Sequence, residues 1–190
     1  SNMYNDKTVG VWHLSDNPVK DSTSNGNNAL GYIDTYKTNG IIGYGNVFKG
    51  GSGTSEINLS QNAKLNNLCT NNFMVSVWIY AYSNVNDTHI ISKKADSATT
   101  GFVIKSYNGG FRFHWGDGIS SVNYLQAGGI LSVSNWYNLV VTCDLTNVKM
   151  YVNGVNKLNQ ATNIPVIQSN TSGGIEEKFS FIFCCPSCIF

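Results

Sequence analysis

The apolar residues of this chain occur in short runs rich in β-branched and aromatic side chains, and Gly- or Asn-containing turns separate them. Runs of this kind predict β-strands. The predicted strands are residues 9–14, 46–49, 55–59, 72–82, 88–94, 101–107, 110–115, 122–127, 136–143 and 147–153, with a further candidate at 178–183. About ten strands at this spacing predict an all-β, antiparallel, two-sheet sandwich. The one helical pattern, at 62–68, predicts a single turn at most.

Two hairpins stand out, at residues 101–115 around Asn108-Gly109-Gly110 and at residues 136–153 across the turn DLTN. Alternation divides each strand between two faces. In the strand at 110–115, one face carries Phe111, Phe113 and Trp115, and the other carries Arg112 and His114. The same alternation selects the residues predicted to fill the core: Phe73, Val75, Val77, Leu139, Val141 and Val152.

The amino-acid composition of the chain limits the kinds of partner that it can be expected to bind. The 190 residues fit one domain, and asparagine is common, at 26 residues. Charged residues make up 12% of the chain and the formal net charge is +1, so charge gives no basis for binding nucleic acid or a membrane surface. No run is long and apolar enough to insert into a membrane. Residues 1–3, Ser-Asn-Met, are typical of a cloning scar.

Five cysteines are an odd number for a disulfide framework. Cys69 and Cys143 lie far apart, and Cys184, Cys185 and Cys188 crowd the end of the chain as CCPSC. A Cys-x-x-Cys pair can be half of a redox or zinc site, but here no helix pattern follows it and no second ligand pair exists. We expect these three cysteines to form a loose end without metal.

Six motifs, in this order and spacing, resemble the laminin G-like domains of the concanavalin A-like jelly-roll superfamily: VWHLSD, DSTSNGNNA, NFMVSVWIY, IISKK, GFVIKSYNGGFRF and WYNLVVTCDLTNVKMYVNG. The match runs from about residue 9 to residue 155 and is most similar to the bacterial subgroup appended to secreted glycosidases and surface proteins. The resemblance implies a concanavalin A-like jelly roll in a secreted or cell-surface protein.

Two segments depart from the family pattern. The family has an "FDG" segment where this chain has Phe48-Lys49-Gly50, and its closing strand, which pairs with the first strand at 9–14, contains an acidic residue. Here the end reads GGIEEKFSFIFCCPSCIF, so the last strand is atypical, truncated or changed by a shifted reading frame. We therefore expect the domain to span residues 4–178, with an atypical Cys-rich tail at 179–190.

The residues do not favour an enzyme. Glucanases of this superfamily carry two glutamates on one strand, because retaining hydrolysis needs carboxyl groups about 5 Å apart. The glutamates here are Glu56, Glu176 and Glu177, and the last two are adjacent, so a strand points them to opposite faces. His13, His89 and His114 have no serine or cysteine partner at motif spacing.

The loop KDSTSNGNNA offers hard oxygen ligands from Asp21, Asn25 and Asn28. Laminin G-like domains often hold calcium near such loops, so the resemblance implies a calcium site here. The alternative is that Asp21 and Asn25 cap turns around Gly26.

Glycan sites combine aromatic rings, which stack on the apolar faces of sugars, with polar groups that bind hydroxyls. The candidate rings are Tyr80, Tyr82, Tyr107, Trp115 and Tyr124, and the candidate polar partners are His89, Arg112, His114 and Asp117. Trp12, Trp78 and Trp136 match family positions that fill the core and are set aside. We predict a site of Trp115, Asp117, Tyr107 and Tyr82, with Arg112 and His114 as the alternative set if the other face is the open one.

The function that these features predict is non-catalytic binding of a glycan or polysaccharide, as an accessory part of a larger secreted or surface protein. The alternative is a protein-binding adhesion or structural module of a surface or phage tail fibre protein. An exposed aromatic groove would favour the first, and a flat polar face would favour the second.

Overall fold

The computed structural model describes residues 4, 6–48, 55–59, 65, 72–83, 86–93, 99–116, 119, 123–144, 146–161, 174–177 and 181–184, and for residues 32, 33, 161, 174–177 and 181–184 it describes the backbone only. Leu65, within the predicted turn at 62–68, is helical. No helix in the described part of the chain is long and apolar enough to cross a membrane.

Fourteen β-strands follow one another through the described residues. They are β1 (Ala29–Ile33), β2 (Thr35–Asn39), β3 (Tyr44–Phe48), β4 (Ser55–Leu59), β5 (Phe73–Ala81), β6 (Thr88–Ser92), β7 (Phe102–Tyr107), β8 (Gly110–Trp115), β9 (Asn123–Ala127), β10 (Trp136–Cys143), β11 (Asn147–Val152), β12 (Val155–Ala161), β13 (Gly174–Glu177) and β14 (Phe181–Cys184).

The strands form two seven-stranded sheets. The first sheet has the order β1-β4-β13-β6-β7-β8-β9, and the second has the order β12-β11-β10-β5-β14-β3-β2. Neighbouring strands pair antiparallel in both sheets. The predicted all-β, antiparallel, two-sheet sandwich is therefore confirmed.

The core lies between the two sheets and is rich in aromatic rings. Phe73 of β5 stacks on Phe102 of β7 with their ring centroids 5.7 Å apart, and Phe111 of β8 meets Tyr137 of β10 edge-on at 5.6 Å. Each such side chain contributes roughly 1.5–3 kcal/mol through burial. Among the residues predicted for the core, Phe73, Val77, Leu139, Val141 and Val152 are buried, and Val75 is partly buried against them.

Two Asn-Gly turns set the register of their hairpins. Asn108 and Gly109, between β7 and β8, have φ angles of 50° and 64°, and Asn153 and Gly154 have φ angles of 52° and 76°. Positive φ at both central residues is the requirement of the two-residue turn that matches strand twist. The second turn ends β11 and leads into β12, which was not predicted.

The turn DLTN between β10 and β11 is closed by a carboxylate. Asp144 Oδ1 accepts hydrogen bonds from Thr146 N (3.0 Å), Thr146 Oγ1 (2.7 Å) and Asn147 N (2.6 Å). These bonds, the one from the Thr146 hydroxyl most of all, hold the pKa of Asp144 below its usual value. This side chain therefore fixes the reversal that brings β11 back along β10.

The predicted first strand at 9–14 is wrong, because only a single bridge forms there, between Trp12 and Asp21. Side chains of the following loop form hydrogen bonds with backbone N–H and C=O groups of this segment, which would otherwise pair with a neighbouring strand. Asp21 Oδ1 accepts from Val11 N at 3.0 Å, and the amide groups of Asn25 and Asn27 donate to the carbonyl of Val9 at 3.0 and 2.7 Å. Local side-chain bonds of this kind compete with sheet pairing.

The strand predicted at 178–183 is present as β14, which lies between β5 and β3. The implied pairing of the last strand with residues 9–14 is therefore wrong. The backbone of residues 181–184 continues the sandwich into the segment assigned to the tail, while Cys185 and Cys188 lie outside the described residues.

Candidate functional site

Trp115, the predicted platform, cannot present its ring to a ligand in this fold. It is 2% exposed and stacks on Phe113 with their ring centroids 5.5 Å apart. Alternation correctly divided β8 into two faces, but the face with Phe111, Phe113 and Trp115 is the one that packs against the second sheet. Trp115 is therefore a core residue, and its predicted partner Asp117 lies outside the described residues.

The alternative set lies on the outer face of the first sheet, around Arg112. The carbon Cζ of Arg112 is 3.4 Å from the ring centroid of Tyr107 and 4.2 Å from that of Tyr124. Its Nε donates to Gln126 Oε1 at 3.0 Å, and its Nη2 donates to the same oxygen. We name Tyr107, Arg112, Tyr124 and Gln126 the Arg112 cluster.

The register of three strands assembles this cluster. Arg112 of β8 lies directly opposite Gln126 of β9, and two residues further along β8 His114 lies opposite Tyr124. Directly paired residues point to the same side of an antiparallel sheet, with Cβ atoms about 5 Å apart. Tyr124 is 49% exposed, Arg112 is half-buried and His114 is buried. The cluster thus offers an open ring, an amide and a cation within one small area.

Lys105 borders the cluster on β7, opposite Arg112. Its Nζ forms an ion pair with Asp87 Oδ1 at 2.6 Å and lies 5.7 Å from the ring centroid of Tyr107. Among the described residues, no carboxylate pairs with Arg112 itself. Within the described part of the chain the two cations therefore differ, since Lys105 has a carboxylate partner and Arg112 has none.

Tyr82, another residue of the predicted site, lies on the opposite side of the molecule. It follows β5 in the second sheet, so it cannot join Tyr107 in one site. Its ring is 5.0 Å from that of Tyr80, which is 5.4 Å from Trp136. Partial burial raises the pKa of Tyr82, and the nearby Tyr36 and Tyr80 raise it further. We name Tyr36, Tyr80, Tyr82 and Trp136 the aromatic stripe.

Two tryptophans that were assigned to the core also lie on this outer face. Trp78 and Trp136 are half-buried, and Trp78 alternates with the inward-facing Val77 and Ile79 along β5. Their assignment to the core is wrong. Trp12 does pack against the core, with its Nε1 donating to the carbonyl of Asn27 at 2.7 Å.

The loop predicted to bind calcium is closed by its own hydrogen bonds. Asp21 Oδ1 accepts from Val11 N and Thr23 N (2.9 Å), and Oδ2 accepts from Thr23 Oγ1 (2.8 Å) and Asn27 N (2.9 Å). Asn28 Oδ1 accepts from Asp21 N at 2.9 Å, and Asn25 donates to backbone carbonyls. These oxygens face donors, so the residues do not fit a cation, and the arrangement matches turn capping. Calcium stays a prediction for experiment.

The described glutamates lie on two neighbouring strands, β4 and β13. The backbone of Glu176 in β13 lies opposite Glu56 in β4, and Glu56 Oε1 accepts a hydrogen bond from Asn58 Nδ2 at 2.6 Å. In the described part of the chain, no group of three or more His, Cys, Asp or Glu side chains could hold a metal ion.

Sequence reasoning did not select Gln126, and it held Tyr124 only as one of several rings. A period-two pattern in NYLQA puts both on one face of β9, away from Leu125. The pattern within β9 does not show that β9 pairs with β8. This pairing places Arg112 on the same face as Tyr124 and Gln126.

The chain matches the family model Laminin_G_3, described as the concanavalin A-like lectin/glucanases superfamily, over residues 49–174. This range is most of the chain, and it includes the strands that form the Arg112 cluster. The protein therefore belongs to this family. Among curated proteins, none is similar enough in sequence to count as a relative.

Solved structures support the same fold at low sequence identity. The binding domain of Paraclostridial Mosquitocidal Protein 1 is 16% identical, with a TM-score of 0.77, and the match covers 93% of this chain and 47% of that one. The binding domain of botulinum neurotoxin DC in complex with SialylT is 16% identical, with a TM-score of 0.68 and coverages of 94% and 48%. The chain thus spans about half the length of these toxin domains.

A third structure matches along almost its whole length. It is domain 4 of AbnA, an extracellular arabinanase of family GH43 from Geobacillus stearothermophilus, in complex with arabinotriose. The identity is 19%, the TM-score is 0.71, and the match covers 93% of this chain and 92% of that domain. At these identities the likeness establishes the fold alone.

Proposed function

We propose that this chain is a non-catalytic glycan-binding module, an accessory part of a larger secreted or cell-surface protein. The observation that carries the proposal is the Arg112 cluster, where the half-open ring of Tyr124 lies beside the donors of Arg112 and the amide of Gln126. A ring with polar groups at its edge is the arrangement that binds the apolar face and the hydroxyls of a sugar.

Family and neighbours agree with this proposal. The family takes its name from lectins as well as glucanases, and the AbnA domain that this chain matches along its length was solved with a trisaccharide. That domain comes from an extracellular enzyme, which supports an accessory role outside the cell. The toxin domains are about twice as long as this chain, which matches about half of each.

A second candidate function is binding of a partner protein through the aromatic stripe. Tyr36 is 49% exposed and Tyr82 is 47% exposed, and they lie with half-buried Tyr80 and Trp136 on the outer face of the second sheet. Tyrosine and tryptophan are enriched among the residues that dominate protein–protein affinity.

Calorimetric titration of plant and host oligosaccharides separates the two candidates. Tyr124→Ala should weaken glycan binding by about ten- to hundredfold, because aromatic stacking on planar ligands is worth about 1–3 kcal/mol. Tyr36→Ala is the matched control, since Tyr36 is equally exposed on the opposite sheet. The glycan proposal fails if no saccharide binds, and the site is wrongly placed if Tyr36→Ala weakens binding while Tyr124→Ala does not.

A further inference from the structure

We propose that the Arg112 cluster recognises the carboxylate of an acidic sugar, so that this module prefers glycans with uronic or sialic acid residues over neutral ones. The inference rests on the proposed glycan-binding function and specifies its ligand. The ligand is specified by the donors, the charge and the neighbours of one side chain, Arg112.

Among the described residues, Gln126 alone accepts hydrogen bonds from the guanidinium of Arg112. It carries five N–H donors, one on Nε and two on each terminal nitrogen. Gln126 Oε1 takes the Nε–H and one N–H of Nη2, which fixes one edge of the group. The other N–H of Nη2 and one N–H of Nη1 form the second edge of the fork, and neither donates to a described residue. Two parallel donors on one edge match the two oxygens of a carboxylate.

The charge of Arg112 also has no counter-ion among the described residues. The side chain is half-buried, its planar group packs on the rings of Tyr107 and Tyr124, and no described carboxylate pairs with it. The ring faces attract the cation, yet they supply no formal negative charge. A partly desolvated cation in such a place gains from an anionic ligand more than a fully hydrated surface arginine would.

The described neighbours of Arg112 do not cancel this positive charge. Lys105 is already paired with Asp87, so that ion pair adds no net charge next to Arg112. Gln126, the direct partner, is neutral. A ligand carboxylate at Arg112 would thus meet an uncompensated cation, with the open ring of Tyr124 beside it to stack on the attached sugar ring.

Pairs of saccharides that differ in their carboxylate test the proposal directly. Two pairs are titrated calorimetrically at low salt, namely oligogalacturonate with oligogalactose and sialyllactose with lactose. We expect wild type to bind the acidic member of at least one pair about 10- to 100-fold more tightly, as one charge-assisted bidentate contact would give. The pair that shows the preference tells whether the acid is a uronic or a sialic acid. The preference should shrink at high salt, since salt screens the attraction.

Three variants test whether Arg112 causes the preference for the acidic saccharide. Arg112→Gln should abolish the preference for the acid, because it weakens binding of the acidic saccharide much more than binding of the neutral one. Arg112→Lys should keep a weaker preference because it has the charge but not the fork. Lys149→Gln, which removes one charge from the opposite sheet, is the matched control and should change nothing. Circular dichroism and thermal melting verify that each variant is folded.

The outcomes separate this inference from the function on which it rests. If wild type binds acidic and neutral saccharides equally well, the inference is wrong and glycan binding stands. If Lys149→Gln reduces the preference as much as Arg112→Gln does, long-range charge explains it and Arg112 does not. If no saccharide binds, both the inference and the proposed function are wrong.

Discussion

At the scale of single residues, Asp21 shows how one carboxylate organises a segment that has no sheet partner. Its two oxygens accept hydrogen bonds from three backbone N–H groups and one hydroxyl, and these donors come from Val11, Thr23 and Asn27. The side chain is buried, so its donors have little access to water as a substitute. The sequence allows Asp21 to be either a cap or a metal ligand, and the positions of these donors favour the cap.

Removal of this carboxylate should destabilise the whole domain. Asp21→Ala leaves several donors without an acceptor, and we expect a loss of about 3 kcal/mol in the free energy of unfolding, measured by denaturant titration. Asp144→Ala, in an exposed turn, is the control and should cost less. A calcium-dependent rise in the melting temperature of wild type that Asp21→Ala abolishes would contradict the capping role and support a metal.

At the scale of elements, the strands that the sequence predicted are mostly those inside the sheets. Three of the strands that it missed, β1, β2 and β12, lie at sheet edges, where polar sequences such as TYKTN are tolerated because one side faces solvent. Alternation also separated the faces of β8 correctly. Alternation alone does not show which face of β8 meets the second sheet. The sequence therefore predicted Trp115 as the ligand-binding ring and Arg112 as part of the alternative site.

The contact between β8 and β9 positions the Arg112 cluster, and one glycine permits it. A methyl group at Gly110 would overlap the backbone carbonyl of Ala127 in β9. Gly110→Ala should therefore cost about 1–3 kcal/mol of stability and weaken glycan binding, because it pushes the two strands apart. Gly31→Ala in β1 is the control, since nothing lies within 4 Å of its added methyl group. Equal stability of the two variants would show that the close approach is not required.

At the scale of the whole molecule, the sandwich exposes two outer faces with different chemistry. The first sheet carries a cation between tyrosines and an amide, and the second carries the aromatic stripe. The sequence predicted the sandwich and many of these rings, but it combined Tyr107 and Tyr82 into one site although they belong to opposite sheets. That separation depends on the strand order, which local patterns do not contain.

The central claim is that a glycan binds on the outer face of the first sheet, and amide chemical-shift mapping tests it most directly. The ¹⁵N-labelled protein is titrated with the saccharide that binds most tightly in calorimetry. We predict that the amide signals of β7, β8 and β9 shift, together with the side-chain Nε–H signal of Arg112, while those of β2, β5 and β10 stay in place. Shifts confined to β2, β5 and β10, around the aromatic stripe, would contradict the claim.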